Sequence, residues 1–139
     1  MTEVNILLID DDPDDREFFE IALKRTARPI NTTYACNGIK GLECLSQSAC
    51  KPDYIFLDLN MPLLSGKDFL FKIRQAHEYE SIPVIILSTS SHIDDIEECK
   101  RLGASHFMTK ITSVEKLADF IATIISSSNL PFLLNSSSI

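Results

Sequence analysis

Four short apolar runs each end in a residue able to do polar chemistry. "VNILLI" (4–9) runs into Asp10, Asp11 and Asp12, "YIFL" (54–57) into Asp58, "PVIIL" (83–87) into Ser88, and "HFMT" (106–109) into Lys110. Three adjacent acids need an explanation, because two carboxylates about 4 Å apart at an effective dielectric near 20 repel by roughly 4 kcal/mol. A hard cation such as Mg²⁺, which takes oxygen ligands and keeps several of its own waters, offsets that repulsion. An aspartate in such a setting is a competent nucleophile toward a phosphoryl group. An ammonium and a hydroxyl then suit the transferred oxygens, the first neutralising charge and the second donating a hydrogen bond. The residue types therefore assign Asp58 to phosphoryl acceptance, the acids to Mg²⁺, and Lys110 and Ser88 to the phosphoryl oxygens.

Taken singly, each has an ordinary explanation. Asp10, Asp11 and Asp12 would suit a helix N-terminus, where the dipole favours negative charge. Asp58 before Pro62 and Ser88 in "STSS" fit turn chemistry, and a lone lysine is usually a surface residue. Their delivery by four strands to one rim is what argues against coincidence, since ligands of open α/β sheets sit beyond the carboxyl ends of the strands.

The elements that must position them follow from periodicity. Strands are expected at 4–9, 31–36, 54–57, 83–87 and 106–109. Between them, sets such as Phe18/Phe19/Ala22/Leu23 and Leu117/Ala118/Ile121/Ile125 recur at the three-to-four-residue spacing of a helix with one apolar face. The strands at 4–9, 54–57 and 83–87 are apolar at successive positions, so both of their faces are covered, as in a parallel sheet between helices. The fold class is thus α/β, doubly wound, from five strand-helix units. Pro13 and Asp14 start the first helix, Gly103 follows the fourth, and Thr112 and Ser113 with Glu115 cap the fifth.

The chain has 139 residues, the size of one domain. A formal charge of −7 argues against non-specific binding to nucleic acid or an anionic membrane, both of which need clustered Lys and Arg. No apolar run is long enough for a membrane span, and "MTEVN" lacks a signal peptide's pattern, so the expected location is cytoplasmic. Cys36, Cys44, Cys50 and Cys99 show no metal-binding spacing and are expected to be reduced thiols. From Ser126 the composition turns to "SSSNLPFLLNSSSI". It is expected to be a frayed tail, the alternative being that Phe132, Leu133 and Leu134 dock on the domain or on a second copy.

"ILLIDDDP", "DYIFLDLNMPLLSG", "IPVIILST" and "GASHFMTK", in this order over roughly residues 4–127, resemble the response-regulator receiver domain of two-component signalling. The stretch "IDDDPDDREFFEIALK" is also similar to small stand-alone receivers, including those paired with bacterial phytochrome kinases. The resemblance implies a flavodoxin-like (βα)5 fold with a five-stranded parallel sheet of order 2-1-3-4-5. It implies that Asp58 accepts a phosphoryl group from a histidine kinase or histidine phosphotransfer protein, with Lys110 pairing the phosphate. Asp11, Asp58 and the backbone carbonyl of Asn60 would ligate Mg²⁺, with Asp10 acting through water. Ser88 and Phe107 would form the switch, Phe107 turning inward as Ser88 moves, to bias a surface read by a downstream protein.

The domain is expected over 1–127, with 128–139 a tail and no output domain, so the product is a phosphoprotein rather than an enzyme. The tail or an Ile93/Ile96/Phe107/Ile111 surface would then serve a partner or a homodimer. Two departures from the family pattern stand out. Ile111 follows Lys110 where the family usually has proline in a cis peptide, so a trans bond and an altered loop are expected. Phe107 replaces the commoner tyrosine. Two competing readings are a degenerate receiver acting as a phosphorylation-independent binding module, and an aspartyl-phosphate phosphatase. The latter needs an acid at position 60, where Asn60 cannot do acid/base work.

Overall fold

A computed structural model of the protein describes residues 3–47, 49–127 and 129–135. Strands β1 (Val4–Ile9), β2 (Ile30–Ala35), β3 (Tyr54–Asp58), β4 (Val84–Ser88) and β5 (His106–Thr109) alternate with helices α1 (Pro13–Lys24), α2 (Gly38–Ser46), α3 (Gly66–Gln75), α4 (Ile93–Arg101) and α5 (Val114–Ser126). A sixth strand, β6 (Leu133–Leu134), follows. Every pairing is parallel and the order is β2-β1-β3-β4-β5-β6.

The continuous apolar character of the central strands is explained by two separate cores. Ile6, Leu8, Phe56, Ile85, Leu87 and Met108 point to one side of the sheet and meet Phe19, Ala22 and Leu23 of α1 with Leu117, Phe120 and Ile121 of α5. Leu7, Ile9, Ile55, Leu57, Ile86 and Phe107 point to the other and meet Leu45 of α2, Phe69, Leu70 and Ile73 of α3, and Cys99 of α4. Alternate side chains along a strand face opposite ways, so both must be apolar when both faces are covered.

Local chemistry ends the elements where the sequence places the signals. Asp12 caps α1, its carboxylate accepting the Asp14 N–H at 2.9 Å, with Pro13 following as the first helical residue. Ser113 caps α5 by accepting from the Lys116 N–H at 3.2 Å. Gly103 sits beyond the end of α4 at φ +99°, a conformation glycine adopts without the penalty of a Cβ. The Lys110–Ile111 peptide is trans, as are all peptides of the described residues. The four cysteines are free thiols.

Three expectations are corrected. The sheet has six strands rather than five, and the described part of the tail is docked rather than frayed. β6 pairs with β5 in the register Phe107 to Leu133 and Met108 to Leu134, and the Phe107 N–H donates to the Phe132 carbonyl at 2.9 Å. Leu134 enters the core beside α5, and its strand covers the edge that β5 would otherwise expose. Residues 128 and 136–139 of that tail lie outside the described residues. The Ile93/Ile96/Phe107/Ile111 surface does not exist as one patch either. Phe107 is wholly buried, and Ile111 packs on the core opposite to that of Ile96 and Phe107.

Candidate functional site

The C-terminal ends of β1, β3, β4 and β5 bring Asp10, Asp58, Ser88 and Lys110 to one rim, with Asp11 beside Asp10. Register accounts for the convergence: Leu57 is level with Ile9, Asp58 with Leu87, and Ser88 with Thr109, so the strands end together. Asp10, Asp58 and Ser88 are buried, whereas Asp11 and Asn60 are exposed at the mouth. Asp10, Asp11 and Asp58 each offer a carboxylate oxygen, and these three atoms lie within 4.8 Å of one another. An all-oxygen, anionic donor set of that compactness suits a hard divalent cation such as Mg²⁺.

Lys110 supplies the opposing charge. Its ammonium lies 3.4 Å from Asp58 Oδ1 and 3.5 Å from Asp10 Oδ2. Its shortest contact is with a residue not assigned from the sequence, Asp15 of α1, at 2.6 Å. Burial works against the charge of Lys110, yet the hydrogen bond to Asp15 and the charges of Asp10 and Asp58 hold its pKa above the ordinary lysine value.

The pKa values of two carboxyls are raised as well, which for an acid favours the neutral form. Burial raises Asp10 to about 7, with the Asp58 charge adding to the rise and the Asp12 N–H and Lys110 opposing it. Burial likewise raises Asp58, with Lys110 opposing and a carboxyl hydrogen bond with Asp11 adding. The Asp12 N–H donates to Asp10 Oδ1 at 2.9 Å and the Asn60 N–H to Asp58 Oδ1 at 3.4 Å. The Ser88 hydroxyl oxygen accepts from the Ser90 N–H at 3.0 Å, and the Ser88 carbonyl receives the Lys110 N–H at 2.7 Å. Phe107 is already turned inside, among Ile86 and Cys99. Asp12 points away from this cluster to cap its helix, so two of the three opening acids face the site and one shapes the chain.

Asp15 has a weak sequence signal. It is an acid in the first turn of a helix whose N-terminus abuts the rim, but a helix dipole alone would account for an acid there.

A doubly wound parallel sheet with acids, a hydroxyl and a lysine at its C-terminal rim defines a receiver-type α/β domain. Comparison with known proteins agrees: the family model of the response regulator receiver domain matches residues 6–122, and the chain belongs to that family. The two-component response regulator ARR7 of Arabidopsis thaliana is 32% identical over 126 residues, covering 84% of this chain and 59% of that protein. Response regulator Rcp1 of Synechocystis is 28% identical over 124 residues, covering 86% of this chain and 84% of Rcp1.

Among solved structures, the phosphorylated cyanobacterial phytochrome response regulator RcpA superposes with a TM-score of 0.83 at 29% identity, covering 94% of this chain and 99% of that one. The Mn²⁺-bound form of Rcp1 superposes with a TM-score of 0.78 at 26% identity, covering 92% and 99%. The similarity to small receivers of phytochrome systems is borne out by these neighbours.

Proposed function

We propose that this protein is a phosphoacceptor response regulator, which takes a phosphoryl group from the phosphohistidine of a histidine kinase or phosphotransfer protein onto Asp58. The observation that carries the reading is the placement of the buried Asp58 carboxylate, clustered with those of Asp10 and Asp11 and 3.4 Å from the Lys110 ammonium. Among relatives, RcpA has been solved phosphorylated and Rcp1 with Mn²⁺, which supports both the transfer and the metal.

In the transfer, an Asp58 oxygen forms a bond to phosphorus. The phosphorus–nitrogen bond of the donor breaks, its electron pair stays on the imidazole nitrogen, and that nitrogen takes up a proton. Asp10, Asp11 and Asp58 are the side chains that would hold Mg²⁺, with the Asn60 carbonyl as a further oxygen. Bound Mg²⁺ supplies positive charge to offset the carboxylates and the phosphoryl oxygens. Lys110 pairs with a phosphoryl oxygen, and the Ser88 hydroxyl donates its proton toward another while its own oxygen releases the Ser90 N–H.

Moving Ser88 and Lys110 pulls on β4, β5 and the loops that follow them, which changes the surface offered by α4, β5 and α5 to a downstream protein. Driving such a two-state surface from 1:99 to 99:1 needs about 5.5 kcal/mol of differential stabilisation, which a phosphate with several charge-assisted contacts, aided by the partner, can supply.

The protein acts in the cytoplasm, is no enzyme beyond its own phosphorylation and dephosphorylation, and binds protein partners rather than nucleic acid. No helix of the described residues is long and apolar enough to cross a membrane.

The test is incubation of the full chain with Mg²⁺ and acetyl phosphate, followed by intact mass. The expected result is a gain of about 80 Da, one phosphoryl group. No gain, or a gain that survives Asp58→Asn, overturns the reading.

A further inference from the structure

We infer that Asp15 is a positioning residue that competes with Asp58 for Lys110, so that phosphoryl acceptance requires Lys110 to be drawn off Asp15. This rests on the acceptor reading above. Three carboxylates share one ammonium, and they are not equivalent. Asp15 holds it at 2.6 Å, whereas Asp58 and Asp10 stand at 3.4 and 3.5 Å. Asp15 also lies outside the group of carboxylates able to hold a cation together, which comprises Asp10, Asp11 and Asp58. Its charge is therefore directed at Lys110 rather than at a metal.

Asp15 and Asp58 also reach the ammonium from different elements. Asp58 ends β3 and is fixed by the sheet, while Asp15 stands on the first turn of α1 with its side chain 36% exposed. A lysine head on a flexible four-carbon stem moves toward whichever anion offers the better contact. Here that anion is Asp15.

A phosphoryl group on Asp58 adds up to about two negative charges and three acceptor oxygens. Lys110 can then leave Asp15 for a phosphoryl oxygen, keeping all three of its protons throughout. The Asp15 carboxylate opposes this step twice: it must give up its ion pair, and it then faces the new negative charge across the ammonium. Removing the charge while keeping the shape frees Lys110 for Asp58 in advance.

The experiment compares initial rates of phosphoryl uptake from acetyl phosphate and Mg²⁺ by intact mass. In that reaction the Asp58 oxygen bonds to phosphorus and acetate leaves with the electron pair of the broken bond. Asp15→Asn should accelerate uptake by roughly fivefold, the ratio a solvent-screened ion pair allows. Asp15→Glu should restore the wild-type rate. Asp14→Asn removes the same charge one residue away, from an exposed side chain that caps nothing and does not touch Lys110, and should leave the rate unchanged. A rate in Asp15→Asn equal to or below wild type overturns the inference, as does an equal acceleration in Asp14→Asn.

A second readout does not depend on phosphorylation. The ¹⁵N resonance of the Lys110 ammonium, assigned by its loss in Lys110→Arg, should shift in Asp15→Asn and return in Asp15→Glu. An unmoved resonance overturns the inference even where the wild type takes up no phosphoryl group, an outcome that would separately sink the acceptor reading.

Discussion

Asp58 and Lys110 approach to 3.4 Å although they leave different strands, β3 and β5, with β4 between them. Asp58 is level with Leu87 and Ser88 with Thr109, so the ends of three neighbouring strands present carboxylate, hydroxyl and ammonium side by side. The lysine is thus placed to meet charge that develops over Asp58. Lys110→Met should slow phosphoryl uptake from acetyl phosphate by roughly a hundredfold, the cost of losing one preorganised charge-stabilising donor. A time course by intact mass measures this. An unchanged rate would mean that the ammonium is not used at Asp58.

The buried acids give the fold a pH dependence of unusual sign. Burial raises Asp10 from 3.8 to about 7, and Asp58 moves the same way. Between those values the folded protein retains a proton that the unfolded chain has released, so stability falls as pH rises through the window. With chelator present to remove metal, the urea midpoint should be higher at about pH 5.5 than at about pH 7.5. Asp10→Asn should flatten that slope, leaving the part due to Asp58. An identical slope in the variant would show that Asp10 titrates at its ordinary value.

The main site was legible because its members are strand-end residues. A run of apolar residues announces a covered strand, and the first polar residue after it must emerge at the rim, which located Asp10, Asp58 and Ser88 directly, whereas Lys110 follows Thr109 at the end of a strand with only two apolar residues. Asp15 was not legible in the same way, because its approach to Lys110 depends on how the start of α1 is placed relative to the residue that follows β5, a tertiary fact with no local pattern. Phe107 was misplaced for a related reason. In a four-residue strand covered on both faces, Phe107 and Met108 are both apolar and both buried, and nothing local says that either is hidden. β6 is two residues long, too short for any period, so only the apolar character of Phe132, Leu133 and Leu134 hinted that the tail had somewhere to dock.

That docking has a measurable signature, because adjacent leucines differ completely in burial. Leu134 is 1% exposed and Leu133 37%. Leu134→Ala should destabilise the protein by about 2–4 kcal/mol, as for other buried leucines, whereas Leu133→Ala should cost under about 1 kcal/mol. Urea denaturation of the two variants decides it. Equal and small effects would mean that β6 contributes nothing to the fold in solution.

The end of β3 is held by a glycine, and this links backbone packing to the chemistry at Asp58. A Cβ on Gly66 would lie 2.5 Å from the Asp58 carbonyl oxygen and 2.8 Å from Leu59 Cα, and the Gly66 N–H donates to the Leu59 carbonyl at 3.0 Å. Backbone atoms cannot turn aside as a side chain can, so Gly66→Ala must separate the start of α3 from the end of β3. The expected stability cost is about 1–3 kcal/mol. Because the Asp58 backbone moves with it, phosphoryl uptake should fall further than that loss of folded protein explains. Gly103→Ala is the comparison. Its φ of +99° makes alanine costly by about 1–2 kcal/mol, but the three atoms nearest its would-be Cβ all belong to the flexible Arg74 side chain rather than to β3. The folded fraction of Gly103→Ala should therefore accept phosphoryl groups at the wild-type rate. Measured per folded molecule, equal rates in the two glycine variants would show that the contact of Gly66 with Asp58 and Leu59 does not set the geometry of the acceptor.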